Sequence, residues 1–150
     1  MKTANGTYLY YLLSPLTGSA DEDRYYRRRY PKYNPNDAQD IMALVRKELY
    51  PYFESWCEAS KEGAKLSLRY YLTLYDQEAD RRGEVDAAFE EWLSGALVFF
   101  PSPSPPRNFF ALMWVALFGN EDYTLPEYRE YTIVHEPDDK VGRDFSGGQE

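Results

Sequence analysis

"KLSLRYYLTLYD", residues 65–76, fits two kinds of element, and the choice between them decides the fold class. Leu66, Leu68, Tyr70, Leu72 and Leu74 alternate with Lys65, Ser67, Arg69, Tyr71 and Thr73, the period-two pattern of a strand with one buried face. Leu68, Tyr71, Leu72 and Tyr75 also keep helical spacing. Five alternations are harder to reach by chance than four helical matches in a leucine-rich segment, so the pattern favours a strand. A strand here makes the chain α+β; a helix makes it all-α.

The segments around it are mostly helical. Asn36 has the character of a helix N-cap, with Gln39 at the third helical position and Asp37 and Asp40 where the helix dipole favours negative charge, so a helix is expected from residue 37. Its apolar stripe runs through Ile41, Leu44, Val45, Leu49, Tyr52, Phe53 and Trp56. Pro51 lies inside the stripe. It removes a backbone donor and clashes with the carbonyl of Lys47, which predicts a kink or two abutting helices.

Residues 84–98 repeat the helical pattern, with Val85, Ala88, Phe89, Trp92, Leu93 and Leu97 on one side, Glu90 and Glu91 on the other, and Gly95 weakening the last turn. "PSPSPPRN" then blocks regular structure. "FFALMWVALF", residues 109–118, is apolar on every side, the mark of a helix enclosed at the centre of a domain, and Gly119 with Asn120 closes it.

Strands are expected at both ends. "TYLYYLL" (7–13) is aromatic and apolar and stops at a cluster of turn formers, and "YREYTIVHE" (128–136) is rich in β-branched and aromatic residues. The expected architecture is therefore a mainly helical α+β single domain over residues 1–136, with a small antiparallel sheet from the first, middle and last strands. Residues 137–150 read as a flexible tail.

Composition bounds what such a domain can do. At 150 residues the chain has the length of one domain with one core, and 15 tyrosines and three tryptophans enlarge the area it can bury. The net charge of −8 repels polyanions at long range and favours cationic partners. Cys57 is the one cysteine, so no internal disulfide forms and no thiolate cluster can hold a metal, which fits a reducing compartment and a cytoplasmic location. The N-terminus imitates a secretory signal only faintly, since three tyrosines and Pro15 make a poor signal core. The longest apolar run, 109–118, is about half of the roughly twenty residues that cross a membrane.

No catalytic signature emerges. His135, the one histidine, sits in an expected strand, where a structural role is commoner than a catalytic one. Cys57 follows Trp56 at the edge of the helical stripe and reads as a small buried hydrophobe. "SGGQE" lacks the strand and helix that a phosphate-cradling loop requires, and Pro103 and Pro106 fit a stiff connector better than a polyproline ligand. No cofactor is expected.

Two charged features remain. Glu54, Glu58 and Glu62, and again Asp76, Asp80 and Glu84, are spaced by four, as acidic ridges on helices would be. Arg24, Tyr25, Tyr26, Arg27, Arg28, Arg29, Tyr30, Lys32 and Tyr33 form a basic, aromatic patch directly after Asp21, Glu22 and Asp23. Arginines could track phosphates while rings stack on bases, yet this patch lies in a repelling acidic field; pairing within the chain or an interface anchor suits it better. The chain resembles, in composition alone, single-domain inhibitors and immunity proteins that neutralise a cationic enzyme. The leading expectation is a non-catalytic inhibitor, of toxin-immunity or phage anti-defence type, that binds a protein partner through a basic face of that partner. A nucleic-acid-binding accessory protein using residues 24–33, and a small enzyme with a carboxylate/His135 site, are the alternatives.

Overall fold

The computed structural model describes residues 2–16, 34, 36–93 and 105–136. Residues 65–76 are helical. They belong to α4 (Glu58–Gln77), and five positions, Ser60, Gly63, Ala64, Ser67 and Leu68, explain why: four small residues and a leucine at helical spacing form a smooth stripe. Tyr8 lies on that stripe, so close that a Cβ on Gly63 would stand 2.5 Å from its ring. Further along, Ser67, Leu68, Tyr70, Tyr71, Leu72, Thr73 and Leu74 are all buried. A helix buried on several sides shows apolar residues at almost any spacing, which is how the period-two reading arose.

The other elements pack around α4, which touches the first strand, the first helix and the two later helices. "TYLYYLL" is also a helix rather than a strand: α1 (Thr7–Leu12) and the 3₁₀ turn Ser14–Leu16 bury Leu9, Leu12, Leu13 and Leu16, each at most 1% exposed, on one face. The first strand lies just before it. β1 (Lys2–Asn5) pairs with β2 (Tyr131–Val134) in a two-stranded parallel sheet, Lys2 opposite Tyr131 and Asn5 opposite Val134. The expected antiparallel sheet of three strands is thereby corrected. Its first and middle strands are helical, and the sheet instead pairs β2 with the unexpected strand β1 in the same direction, an arrangement that the long intervening crossover allows. The expected last strand is shorter than 128–136, since Tyr128–Glu130 forms a 3₁₀ turn ahead of β2.

Asn5 finishes the sheet with its side chain. Nδ2 donates to the Glu136 carbonyl at 2.8 Å, while Oδ1 accepts from the N–H groups of Glu136 (3.1 Å) and Thr7 (3.0 Å). One amide thus extends the pairing beyond β2 and starts α1. The Asn5 carbonyl accepts in turn from the buried Ser67 hydroxyl at 2.6 Å, which fastens the sheet to α4.

The helix expected from residue 37 begins one residue later. In α2 (Ala38–Leu44) the cap is Asp37, not Asn36: Asp37 Oδ1 accepts from the N–H groups of Gln39 (2.9 Å) and Asp40 (3.2 Å), while the Asn36 N–H donates to Asn34. A carboxylate at this position adds charge to the capping bond. The disturbance expected at Pro51 takes the form of a π-helical turn, Val45–Leu49, between α2 and α3 (Tyr50–Glu54). The Tyr50 N–H reaches back five residues to the Val45 carbonyl, a widened turn of the kind that appears where a proline breaks the regular ladder. The stripe survives it, with Ile41, Leu44, Val45, Leu49, Phe53 and Trp56 buried and Tyr52 half-buried.

α5 (Arg82–Leu93) and α6 (Pro106–Phe118) close the core. Phe89 stacks on Phe110 at 4.1 Å, and Trp92 meets Tyr71 edge-on at 5.3 Å, so rings from α4, α5 and α6 share one aromatic centre. α6 is not enclosed as its composition predicts: Phe109, Phe110, Met113 and Trp114 are buried, but Val115 is 40% exposed. Gly119 ends it at φ +69°, a left-handed conformation that glycine adopts without strain. Gly95, Leu97 and Pro103 lie outside the described residues, as does the expected tail.

Candidate functional site

The parallel pairing of the chain ends brings three distant segments together. β2 is followed by His135, β1 is followed by Gly6, and α5 passes beside both. Gly6 donates its N–H to the Val134 carbonyl at 2.9 Å, and the His135 ring lies directly over it. A Cβ at Gly6 would stand 2.8 Å from His135 Cε1 and 3.1 Å from the Tyr71 hydroxyl. The missing side chain is what lets the imidazole settle there. Trp92 lies 6.3 Å from the imidazole between ring centres and is itself wedged against Tyr71 and Phe110.

These groups form one wall of an open concavity of about 690 Å³, lined by Thr7, Tyr10, Ala88, Glu91, Trp92 and His135. Tyr10, on α1, is 51% exposed. Trp92 is buried in the core and therefore fixed in place. The lining combines one carboxylate, one imidazole, the hydroxyl-bearing Thr7 and Tyr10, and the Trp92 indole, a mixture of polar and aromatic groups.

Of the expected site residues, Arg24, Tyr25, Tyr26, Arg27, Arg28, Arg29, Tyr30 and Tyr33 lie outside the described residues. The two acidic sets do not form continuous ridges. Glu54 ends α3 while Glu58 begins α4, and both converge on Lys61 Nζ at 3.4 Å. Glu62 sits further along beside Lys65 and Arg69, where Lys65 pairs with Glu121 at 2.8 Å. Asp76, Asp80 and Glu84 fall on three different elements. Asp76 accepts from the Tyr123 hydroxyl and from Arg107 Nη2, whereas Glu84 pairs with Arg81 at 2.7 Å, which holds its carboxyl below the usual carboxylate range.

A second carboxylate–tyrosine–arginine cluster stands beside Asp76. Glu78 accepts from the Tyr128 hydroxyl and from Arg129, and these two contacts, the hydroxyl first, lower its pKa. Arg69 donates to the carbonyls of Tyr123 and Thr124, and Thr73 Oγ1 accepts from the Leu125 N–H at 3.0 Å. Segment 122–130 is thus bolted to the end of α4. Cys57 is half-buried, its thiol 3.4 Å from the Ser60 hydroxyl.

Of the residues around the concavity, His135 stood out in the sequence because it is the one histidine. Glu91 read as the outer face of a helix and Tyr10 as part of a strand. Nothing local in the sequence joins them, because the chain ends meet only through long-range pairing. Among the described residues no three His, Cys, Asp or Glu side chains are placed to hold a metal ion, and no described helix is long and apolar enough to cross a membrane. No family model matches the chain, and neither the curated proteins nor the solved structures yield a match to it.

Proposed function

We propose that the protein is a non-catalytic, acidic partner-binding inhibitor, of toxin-immunity or phage anti-defence type, that covers a basic face of another protein. The observation that supports this reading is the use the fold makes of its cations. The described residues hold 18 carboxylate side chains and ten lysines and arginines, and so carry a net −8 by themselves. Lys2, Lys61, Lys65, Arg81, Arg107 and Arg129 each pair with a carboxylate of the chain, and Arg69 and Arg82 bond backbone carbonyls. With Arg46 and Lys47 left exposed and the other eight cations bonded within the chain, the excess negative charge remains to steer encounter with a basic partner and speed association at low salt.

Affinity capture from the native host, at low and at moderate salt, tests the reading. One stoichiometric basic protein is expected, with an association rate that falls steeply as salt rises. Recovery of no partner, or of one whose association ignores salt, contradicts it. The carboxylate/His135 enzyme has one observation in its favour, the shared concavity of Glu91 and His135. Acid–base chemistry there requires both side chains, so any turnover must vanish in His135→Gln and in Glu91→Gln. The nucleic-acid reading depends on residues 24–33 and draws on sequence alone.

A further inference from the structure

We propose that the outer edge of β2 is a docking site for an extended strand of the basic partner, one with lysine or arginine at both ends of a short β-branched segment; the identity of the occupant rests on the reading above. In a parallel pair, a strand turns the backbone groups of alternate residues toward its neighbour. The pairing of Asn5 with Val134, and the bond from the Gly6 N–H to the Val134 carbonyl, place the backbone groups of Thr132 and Val134 on the β1 side. Those of Tyr131, Ile133 and His135 therefore point outward. The Tyr131 N–H donates to the Tyr128 carbonyl, but the Tyr131 carbonyl and both backbone groups of Ile133 and His135 make no hydrogen bond among the described residues. The opposite edge of the sheet is taken, since the outward carbonyl of Asn5 accepts from Ser67 on α4.

Such an edge holds donors and acceptors at strand spacing over about 13 Å, which an added strand can satisfy without moving the fold. It is held in place beforehand. Tyr131 and Ile133 pack against the core, and the Asn5 side chain grips both backbone groups of Glu136, so little freedom is lost on pairing. Charge names the occupant. Glu130 and Glu136 stand exposed at the two ends of the edge; Lys2 pairs with Glu130 at 3.3 Å, and no described residue pairs with the Glu136 carboxylate. A second copy fits poorly, because a twofold antiparallel pairing about Ile133 sets Glu130 opposite Glu136 of the other copy at both ends and joins two chains of net −8. Lysine or arginine at those two places gives cross-strand pairs of opposite charge instead.

Amide hydrogen exchange of the free full chain tests the edge first. Ile133 and His135 are expected to exchange at least about tenfold faster than Thr132 and Val134, whose N–H groups bond β1. Nuclear magnetic resonance titration then uses the blocked peptide Lys-Thr-Val-Thr-Val-Thr-Lys, the same peptide with glutamate at both ends, and the lysine peptide N-methylated at its threonines. The lysine peptide should shift and protect the Ile133 and His135 amides saturably; the glutamate peptide should bind about five- to tenfold more weakly, and the methylated one not at all. Ile133→Pro removes an outward donor and leaves the bonds to β1, so it should weaken the lysine peptide about five- to tenfold while Thr132 and Val134 stay protected. Glu136→Lys, at an exposed position, should narrow the preference for lysine over glutamate. Protection of Ile133 and His135 in the free chain, whether by its own residues or by a dimer, overturns the proposal. So does absence of shifts, or equal binding of the three peptides.

The two proposals fail separately. If a basic partner is captured and binds folded Ile133→Pro as tightly as the parent protein, the docking edge is wrong and the inhibitor reading stands. If the lysine peptide pairs with the edge but no basic partner exists, the edge stands as a strand acceptor and the inhibitor reading falls.

Discussion

Gly6 has no side chain because His135 and Tyr71 already occupy the space where its Cβ would go. Its φ is negative, so the constraint is steric rather than conformational. Gly6→Ala should therefore destabilise the fold by about 1–3 kcal/mol, the usual cost of overpacking, and displace the His135 ring signals. Gly83 is the opposite case. It sits in the first turn of α5 with nothing within 4 Å of a Cβ, so Gly83→Ala should raise stability by about 0.5–1 kcal/mol, both read from urea denaturation. Asp86, also on α5, tests burial of charge. Its Oδ1 is buried without a hydrogen-bond partner, and burial first, then the charge of Glu90, raises its pKa. A raised carboxyl pKa means that the fold disfavours the ionised form, so the cost is present at neutral pH and disappears as pH falls through the raised value. Asp86→Asn should increase the urea midpoint at pH 7, and the gain should shrink in acid; a loss at pH 7 would show that the carboxylate has a stabilising role.

At the scale of elements, helix and strand readings of α4 place different residues in the core. Under a strand, Leu66 and Leu72 share one buried face; in the helix, Leu72 is 0% exposed and Leu66 is only half-buried. Leu72→Ala should cost about 2–5 kcal/mol and Leu66→Ala about 1 kcal/mol or less, again by urea denaturation. Equal costs would favour the alternating pattern. The sequence disclosed the elements whose apolar residues lie on one side: the α2–α3 stripe, α5, and the break at Pro51 were all legible, since one-sided burial leaves a clear period. It misled where burial was many-sided, as in the second half of α4, and where leucines followed a short aromatic run, as in α1. The helical cue in α4 was the small-residue stripe Ser60, Gly63, Ala64 and Ser67, which marks close packing without any hydrophobic signal. β1 was missed because four residues, two of them exposed, carry almost no pattern and gain their pairing from a segment at the far end of the chain. The candidate site was illegible for the same reason: Tyr10, Glu91 and His135 become neighbours only once that pairing exists.

At the scale of the molecule, the carboxylates fix how stability responds to acid, and two effects of opposite sign compete. From neutral pH toward the isoelectric point near 4.7 the net charge falls, so self-repulsion weakens and the compact state gains. Against this stand carboxylates whose folded pKa is lowered: Glu78 by the Tyr128 hydroxyl and then Arg129, Glu84 by Arg81, and Asp122 by the Thr124 backbone N–H and then its hydroxyl. A lowered folded pKa gives stability that is complete above the unfolded value and is lost as pH drops through the folded one. The loss therefore begins as pH enters the ordinary carboxylate range and continues below it, while the repulsion is already small near the isoelectric point. The urea midpoint should hold or rise between about pH 7 and pH 5 and then fall below about pH 4. Added salt separates the two, because it screens long-range repulsion more than contacts at hydrogen-bonding distance: the rise should flatten while much of the acid loss persists. A midpoint that declines steadily from pH 7 would mean that the pairing of cations within the chain, the feature on which the acidic-surface reading depends, contributes less than other titrating groups. The same series measured on Glu78→Gln should lose part of the acid limb and leave the neutral limb unchanged in shape.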